Sequence, residues 1–196
     1  MSARALDITL TLLAAPLAVP VIAIAAGAAA LSLRGNPLFL QERVGRGGTP
    51  FHIWKLRTMH HRRGSSPAIL AGDWETFVFN PVGETDPRST RIGRFLRASS
   101  LDELPNLVNV LRGEMSLVGP RPEIPEVVEQ YPPEFHRRHA VRPGITGPAQ
   151  VRGRSDLAYA EIIKYDLAYV DDHSLRQDLS ILIETLRVAF RGLGAR

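Results

Sequence analysis

Asp102 and Glu103 are adjacent carboxylates in the stretch Ser99-Ser100-Leu101-Asp102-Glu103-Leu104, with Pro105 directly after it. Paired acids suit nucleophilic, acid–base or hard-metal chemistry. A plainer reading is also open. Ser100 with Glu103 fits a capping box, and acids are favoured in the first turn of a helix. On that reading Leu101, Leu104, Val108 and Leu111 form the apolar face, and Gly113 is the stop. Pro105 lies too deep for a first-turn proline and predicts a kink, which would aim the carboxylates. Neighbours on a regular helix point about 100° apart, so the two acids cannot act as symmetrical partners without local distortion.

Anion-binding groups surround this pair in the sequence. Of 24 basic side chains only Lys55 and Lys164 are lysines. Arginine suits bidentate recognition of phosphate, although a GC-rich genome produces the same bias. Val118-Gly119-Pro120-Arg121-Pro122 and Arg142-Pro143-Gly144-Ile145-Thr146-Gly147-Pro148 read as stiff loops that pre-organise single arginines, with Arg152 and Arg154 following. Arg88, Arg91, Arg94 and Arg97 recur every third residue, opposite Ile92, Phe95 and Leu96. They predict a basic stripe along one helix, serving as a solvated face, a contact for anionic headgroups or a phosphate site.

Other chemistries are excluded. The chain has no cysteine, which removes disulfide scaffolds, zinc fingers, iron–sulfur clusters and thiolate nucleophiles. An oxygen nucleophile and a hard metal ion remain. No G-x-S-x-G elbow is present, and His136 and His139 lack the intervening glutamate of a helical metal pair. A net charge of +4 without a recognition motif argues against a nucleic-acid partner.

The elements that must position these groups fall into two unlike parts. Ile8–Leu33 is a run of 26 uncharged residues between Asp7 and Arg34. As one helix it measures ~39 Å, more than the roughly 30 Å of a bilayer's hydrocarbon. Asp7 and the length of the run speak against a cleaved signal peptide. A single-pass anchor and a re-entrant helix stay open, the latter because Pro16 and Pro20 predict a break in mid-run. Arg4 and Asp7 are spaced to pair at the interface.

Beyond Arg34, Leu38–Val44 and Phe51–Leu56 read as a hairpin around the Gly45–Pro50 turn. Residues 62–90 lack a clear period and read as a lid or an interfacial loop. Leu157–Tyr169 and Leu175–Phe190 read as amphipathic helices. The expected fold is α+β and helix-rich, with a membrane helix at 1–34 and a globular domain at 35–196 that lays amphipathic helices on the membrane.

The block from Ser100 to Pro122 resembles the signature of bacterial sugar transferases, the monotopic polyprenyl-phosphate phosphoglycosyl transferases. Arg4-x-x-Asp7, Gln41–Gly45, Lys55-Leu-Arg-Thr-Met59, Arg97, Val141–Gly147 and Gln150–Arg154 match in the same order. The resemblance covers essentially the whole chain. It implies a re-entrant helix broken at a Ser-Pro pair, of which this chain keeps the proline as Val19-Pro20. It further implies a minimal catalytic form. The reaction would pass a phosphosugar from a UDP-sugar to polyprenyl phosphate and release UMP. Asp102 would be the covalent nucleophile, and Glu103 a catalytic or metal-binding neighbour. Mg²⁺ would be held at Asp102 and Glu103, with Lys55, Arg57, Arg97, Arg121 and Arg154 around the phosphates. The implied location is the inner membrane, cytoplasmic face, among phospholipid. The competing expectation is a non-catalytic scaffold that binds anionic lipid through its arginine stripe.

Overall fold

The computed structural model describes residues 2–60, 74–78, 86–153 and 157–191. Helix α1 (Ala3–Leu33) comes first, capped by the Ser2 hydroxyl, which accepts from Ala5 N. It is one continuous helix through Pro16 and Pro20, which corrects the expected interruption at that pair. Each proline deletes one hydrogen bond without ending the helix, as apolar surroundings tolerate.

Burial along α1 is inverted relative to a soluble helix. Its buried residues include Asp7, Thr11, Ala18, Ala25 and Ala29, spaced by four or seven, a stripe of mostly small side chains. Leu13, Leu17, Ile24 and Leu31 are 72–82% exposed. Among the described residues it is the one helix long and apolar enough to cross a membrane.

The hairpin forms as expected. Strand β1 (Leu38–Val44) pairs antiparallel with β2 (Pro50–Leu56), Leu38 opposite Leu56 and Val44 opposite Pro50. The turn needs two left-handed residues, and Gly47 and Gly48 supply them at φ 67° and 80°. Helix α2 (Arg91–Ala98) starts at Thr90, whose hydroxyl accepts from Gly93 N (2.8 Å). Arg88 precedes the helix and pairs with Asp86, so the predicted four-arginine stripe is broken. Arg91 and Arg94 point outward beside Phe95, while Arg97 turns inward onto the Ser89 hydroxyl.

A 3-10 helix (Leu101–Asn106) then runs into α3 (Leu107–Arg112), which Gly113 ends at φ 82° as expected. The predicted apolar face of this pair is divided: Leu101 packs on the cluster of Ala25, Ala29, Leu56 and Leu96, but the α3 half faces outward. Val108 and Leu111 are exposed, whereas Asp102, Asn106, Asn109 and Val110 are buried. Strand β3 (Ser116–Val118) pairs parallel with β4 (Gly144–Thr146), a second small sheet not expected from the sequence. Between these strands lie α4 (Pro125–Val128) and a 3-10 helix (Pro133–Ala140); α5 (Pro148–Arg152), α6 (Tyr159–Asp172) and α7 (Leu175–Arg191) complete the chain. The lid reading of 62–90 falls mostly outside the described residues. Trp74 and Phe77 do pack on the cluster of Val44, Val128, Tyr131 and Tyr159.

Helix α1 is tied to the domain at both ends. Arg4 donates to the carbonyls of Val110 and Leu111, and Asp7 accepts from Ser116 Oγ and Leu117 N at 2.9 Å. Near its other end, Ala25 and Ala29 pack with Leu56 and Leu96. Gly93 makes the docking of α2 possible, because a Cβ there would lie 1.8 Å from the Thr58 carbonyl oxygen. Gly93→Ala is therefore expected to lower stability by at least about 2 kcal/mol, read as a drop in the thermal midpoint of the detergent-solubilised protein.

Candidate active site

Glu103 reaches its site from the 3-10 helix, and Lys55 reaches it from the end of β2. The outer edge of β2 is closed by side chains instead of a third strand. Asn109, fully buried, accepts from Trp54 N (3.2 Å) and donates to His52 O (2.7 Å), the bonding pattern of a neighbouring strand. Asn106 accepts from the same Trp54 N (3.1 Å). These bonds lock the helical pair 101–112 against β2 and bring residues 48 apart in sequence together: Lys55 Nζ lies 2.8 Å from Glu103 Oε1.

Arg121 arrives from the opposite side, 3.0 Å from the same Oε1. The loop carrying it crosses the segment 142–147 backbone against backbone. A Cβ on Gly144 would meet Gly119 N at 2.1 Å, and one on Gly147 would meet Gly119 O at 2.1 Å. The glycines of both stiff loops are thus steric requirements of their crossing. Arg43, Lys55, Glu103 and Arg121 line a small cleft floored by Ile53 and Met115.

Asp102 and Glu103 are in opposite electrostatic states. Burial alone would raise Glu103, but Lys55 and Arg121 outweigh it and hold the carboxylate well below its usual range. Asp102 is buried too, and among the described residues it accepts no hydrogen bond and forms no ion pair. Burial, then the charge of Glu103, pushes it up to about 6 against the opposing pull of Lys55, Arg121 and Arg97. With three residues per turn, a 3-10 helix rotates the two acids about 120° apart, which separates their surroundings. The capping-box reading fails here. Ser100 adopts a left-handed backbone (φ 56°) and its side chain does not cap the helix. That conformation is uncommon for a non-glycine residue and turns the chain sharply just before the acids.

The structure gathers Lys55, Arg121, Asp102 and Glu103, with Arg97 near enough to act on Asp102. Arg57 lies past the end of β2 with its backbone N–H on Pro37 O (2.7 Å), and no hydrogen bond or ion pair joins its side chain to the acids. Arg154 lies outside the described residues. Two arginines were missed. Arg43 contacts Gln41, Glu123 and the Pro122 carbonyl, and strand alternation places Gln41 and Arg43 on one face. Arg138 is buried with Asp166, and in Arg137-Arg138-His139 it reads as surface. His139 stacks on Tyr131, and His136 meets the same ring edge-on.

Among the described residues no group of three or more His, Asp or Glu could hold a metal ion. Both cations bind Glu103 through Oε1, so Oε2 and the Asp102 carboxylate remain as donors. One or two carboxylates completed by substrate phosphate and water is the usual Mg²⁺ arrangement, and these residues fit it.

The sequence profile of the bacterial sugar transferases matches residues 1–192. A UDP-glucose:undecaprenyl-phosphate glucose-1-phosphate transferase of Caulobacter vibrioides is 42% identical over 191 residues, covering 93% of this chain and 67% of that protein. The galactosyl transferase CpsE of Streptococcus agalactiae is 40% identical over 83% of this chain, and an undecaprenyl-phosphate galactose phosphotransferase of Salmonella typhimurium is 40% identical over 82%. The chain spans only 36% and 35% of those two longer proteins.

The two acids are separable by titration. The ¹³C carboxyl resonance of Asp102 is expected to titrate near pH 6, so the group is mostly protonated below that and charged above it. Replacing Glu103 by Gln removes a negative neighbour and frees two cations, so the Asp102 midpoint should move down. An upward move would refute the assignment of these causes.

Proposed function

Because the chain belongs to the bacterial sugar transferase family, we propose that it moves a sugar phosphate from a UDP-sugar to undecaprenyl phosphate and releases UMP. The observation that carries the mechanism is the asymmetry of the acids: Glu103 is gripped by two cations and Asp102 by none. A carboxylate without hydrogen bonds keeps its lone pairs for attack, and at a pKa of about 6 it is charged at neutral pH.

Asp102 attacks the phosphorus that bears the sugar, and the bond from that phosphorus to the UMP oxygen breaks. UMP leaves with the electron pair, and an aspartyl phosphosugar remains. An oxygen of the lipid phosphate then attacks the same phosphorus, the bond to Asp102 breaks, and the carboxylate is restored. Water-soluble donor and lipid acceptor use one site in turn, which predicts ping-pong kinetics. Glu103 acts by position. It fixes Lys55 and Arg121 beside the nucleophile and keeps them from neutralising it directly.

Arg121 is 43% exposed at its side chain while still bound to Glu103, so it can face a phosphate. With Arg97 it forms the phosphate clamp, and the family resemblance assigns Arg57 and Arg154 to the same task. Lys55 is more enclosed and serves mainly to hold Glu103. A Mg²⁺ ion held by Asp102 and Glu103 Oε2 together with the diphosphate would supply charge neutralisation between carboxylate and substrate.

In this reading α1 enters the inner membrane and both its ends stay at the cytoplasmic face. The support is that Arg4 and Asp7 at one end, and Ala25 and Ala29 at the other, contact the same domain. Pro16 and Pro20 lie between and permit a bend. Arg91, Arg94 and exposed Phe95 suit a surface of anionic phospholipid headgroups. The nucleotide sugar arrives from the cytosol, and the lipid phosphate sits at headgroup height.

UMP release by the full chain in undecaprenyl-phosphate vesicles, assayed across a panel of UDP-sugars with Mg²⁺, tests this reading. Asp102→Asn should lower the rate by at least about a thousandfold, and chelation of Mg²⁺ should abolish it reversibly. Lipid binding that depends on Arg91 and Arg94, without UMP release from any donor, would overturn the reading in favour of a scaffold.

A further inference from the structure

Pro120-Arg121-Pro122 is a segment in which two of three residues lack a backbone N–H, so an ordinary ladder cannot fix it. Its three successive carbonyls are instead held by donors from three separate parts of the fold. Pro120 O accepts from Gly144 N (2.9 Å), Arg121 O from Arg138 Nη2 (2.8 Å) and Pro122 O from Arg43 Nη1 (3.1 Å). Arg43 also lines the cleft beside Lys55 and Glu103. Arg138 is only 2% exposed, and so can influence the site only through other residues.

The surroundings of Arg138 orient it closely. Nη2 also meets Asp166 Oδ2 at 2.5 Å, and Nη1 donates to the hydroxyls of Tyr131 (2.6 Å) and Tyr159 (3.1 Å). Its Nε is buried without a hydrogen-bond partner, so the guanidinium is aimed at particular acceptors at the expense of its own full satisfaction. Apolar residues of similar volume commonly match or exceed a buried ion pair in stability, so stability alone is a weak reason for this one. The bond to the Arg121 carbonyl gives it a task.

We propose that Arg138, held by Asp166, is a positioning residue for Arg121. It anchors the backbone from which the Arg121 side chain reaches Glu103 and the substrate phosphate, and it does not touch substrate itself. The proposal rests on the sugar-phosphate transfer reading for its kinetic consequence, but its structural consequence can be read without activity.

The test uses the full chain in lipid nanodiscs with Arg138→Met and Asp166→Leu combined, which removes both charges and leaves neither buried alone. Because misplacing a substrate-binding group is costly, kcat/KM for the UDP-sugar should fall at least about tenfold. In an Arg121→Met background the same pair of substitutions should change kcat/KM by less than about twofold, since coupled residues are not additive. Equal losses in both backgrounds would overturn the proposal. Separately, the Nε–Hε resonance of Arg121, identified by its loss in Arg121→Met, should be sharp in the parent protein and broadened in the double variant. An unchanged resonance would overturn the proposal even if no UDP-sugar proved a substrate, whereas missing UMP release from the parent protein would sink only the transfer reading. Should the double variant not fold, Arg138→Lys, which keeps the charge opposite Asp166, gives the same comparison.

Discussion

Glu103 accepts Lys55 and Arg121 on a single oxygen, and the geometry of the site follows from that junction. Each cation comes from a different part of the fold, so the junction requires both parts to be fixed independently. Asn106 and Asn109 fix the helical pair 101–112 against β2, and the crossing of Gly119 with Gly144 and Gly147 fixes the loop of Arg121. An uncompensated carboxylate buried at this position would cost several kcal/mol, roughly what removal of one partner from a buried pair costs. The paired charge thus binds the hairpin, the 3-10 helix and the Pro-Arg-Pro loop into one unit. Asp102, one residue away, is left out of the pairing.

Helix α1 reaches the same unit. Arg4 holds the carbonyls that end α3, and Asp7 holds the amide and hydroxyl that begin β3. The first of these elements continues from the helix of the two acids, and the second leads into Arg121. Small residues on the inner stripe of α1 let it approach closely, while its large aliphatic side chains face outward. The outward Val108 and Leu111 of α3 extend that apolar surface. The site is thereby anchored to the end of α1 that carries Arg4 and Asp7.

The sequence showed the hairpin, the two C-terminal helices, the long apolar helix and the carboxylate pair because each rests on local pattern: alternation, helical period, hydropathy or a short motif. The acids' environment was not legible, since it depends on Lys55 and Arg121, which are distant in sequence. The same limit explains why Val108 and Leu111 were read as inward-facing. Leucine spacing gave a correct period, but the buried side is set by Asn109 serving as a strand partner and by α1 beside it. Pro16 and Pro20 suggested a break because two prolines four residues apart each remove a backbone hydrogen bond, yet α1 continues through both. Arg138 was missed because a buried guanidinium needs Asp166, Tyr131 and Tyr159, brought together only by the tertiary fold.

The central claim is that two adjacent carboxylates have been divided into one nucleophile and one anchor. Incubating the protein with its UDP-sugar in the absence of lipid acceptor, followed by acid quench and peptide mass mapping, tests it most directly. The account predicts a phosphosugar adduct on Asp102, discharged when undecaprenyl phosphate is added. An adduct on Glu103, or turnover with no adduct on either residue, would contradict it.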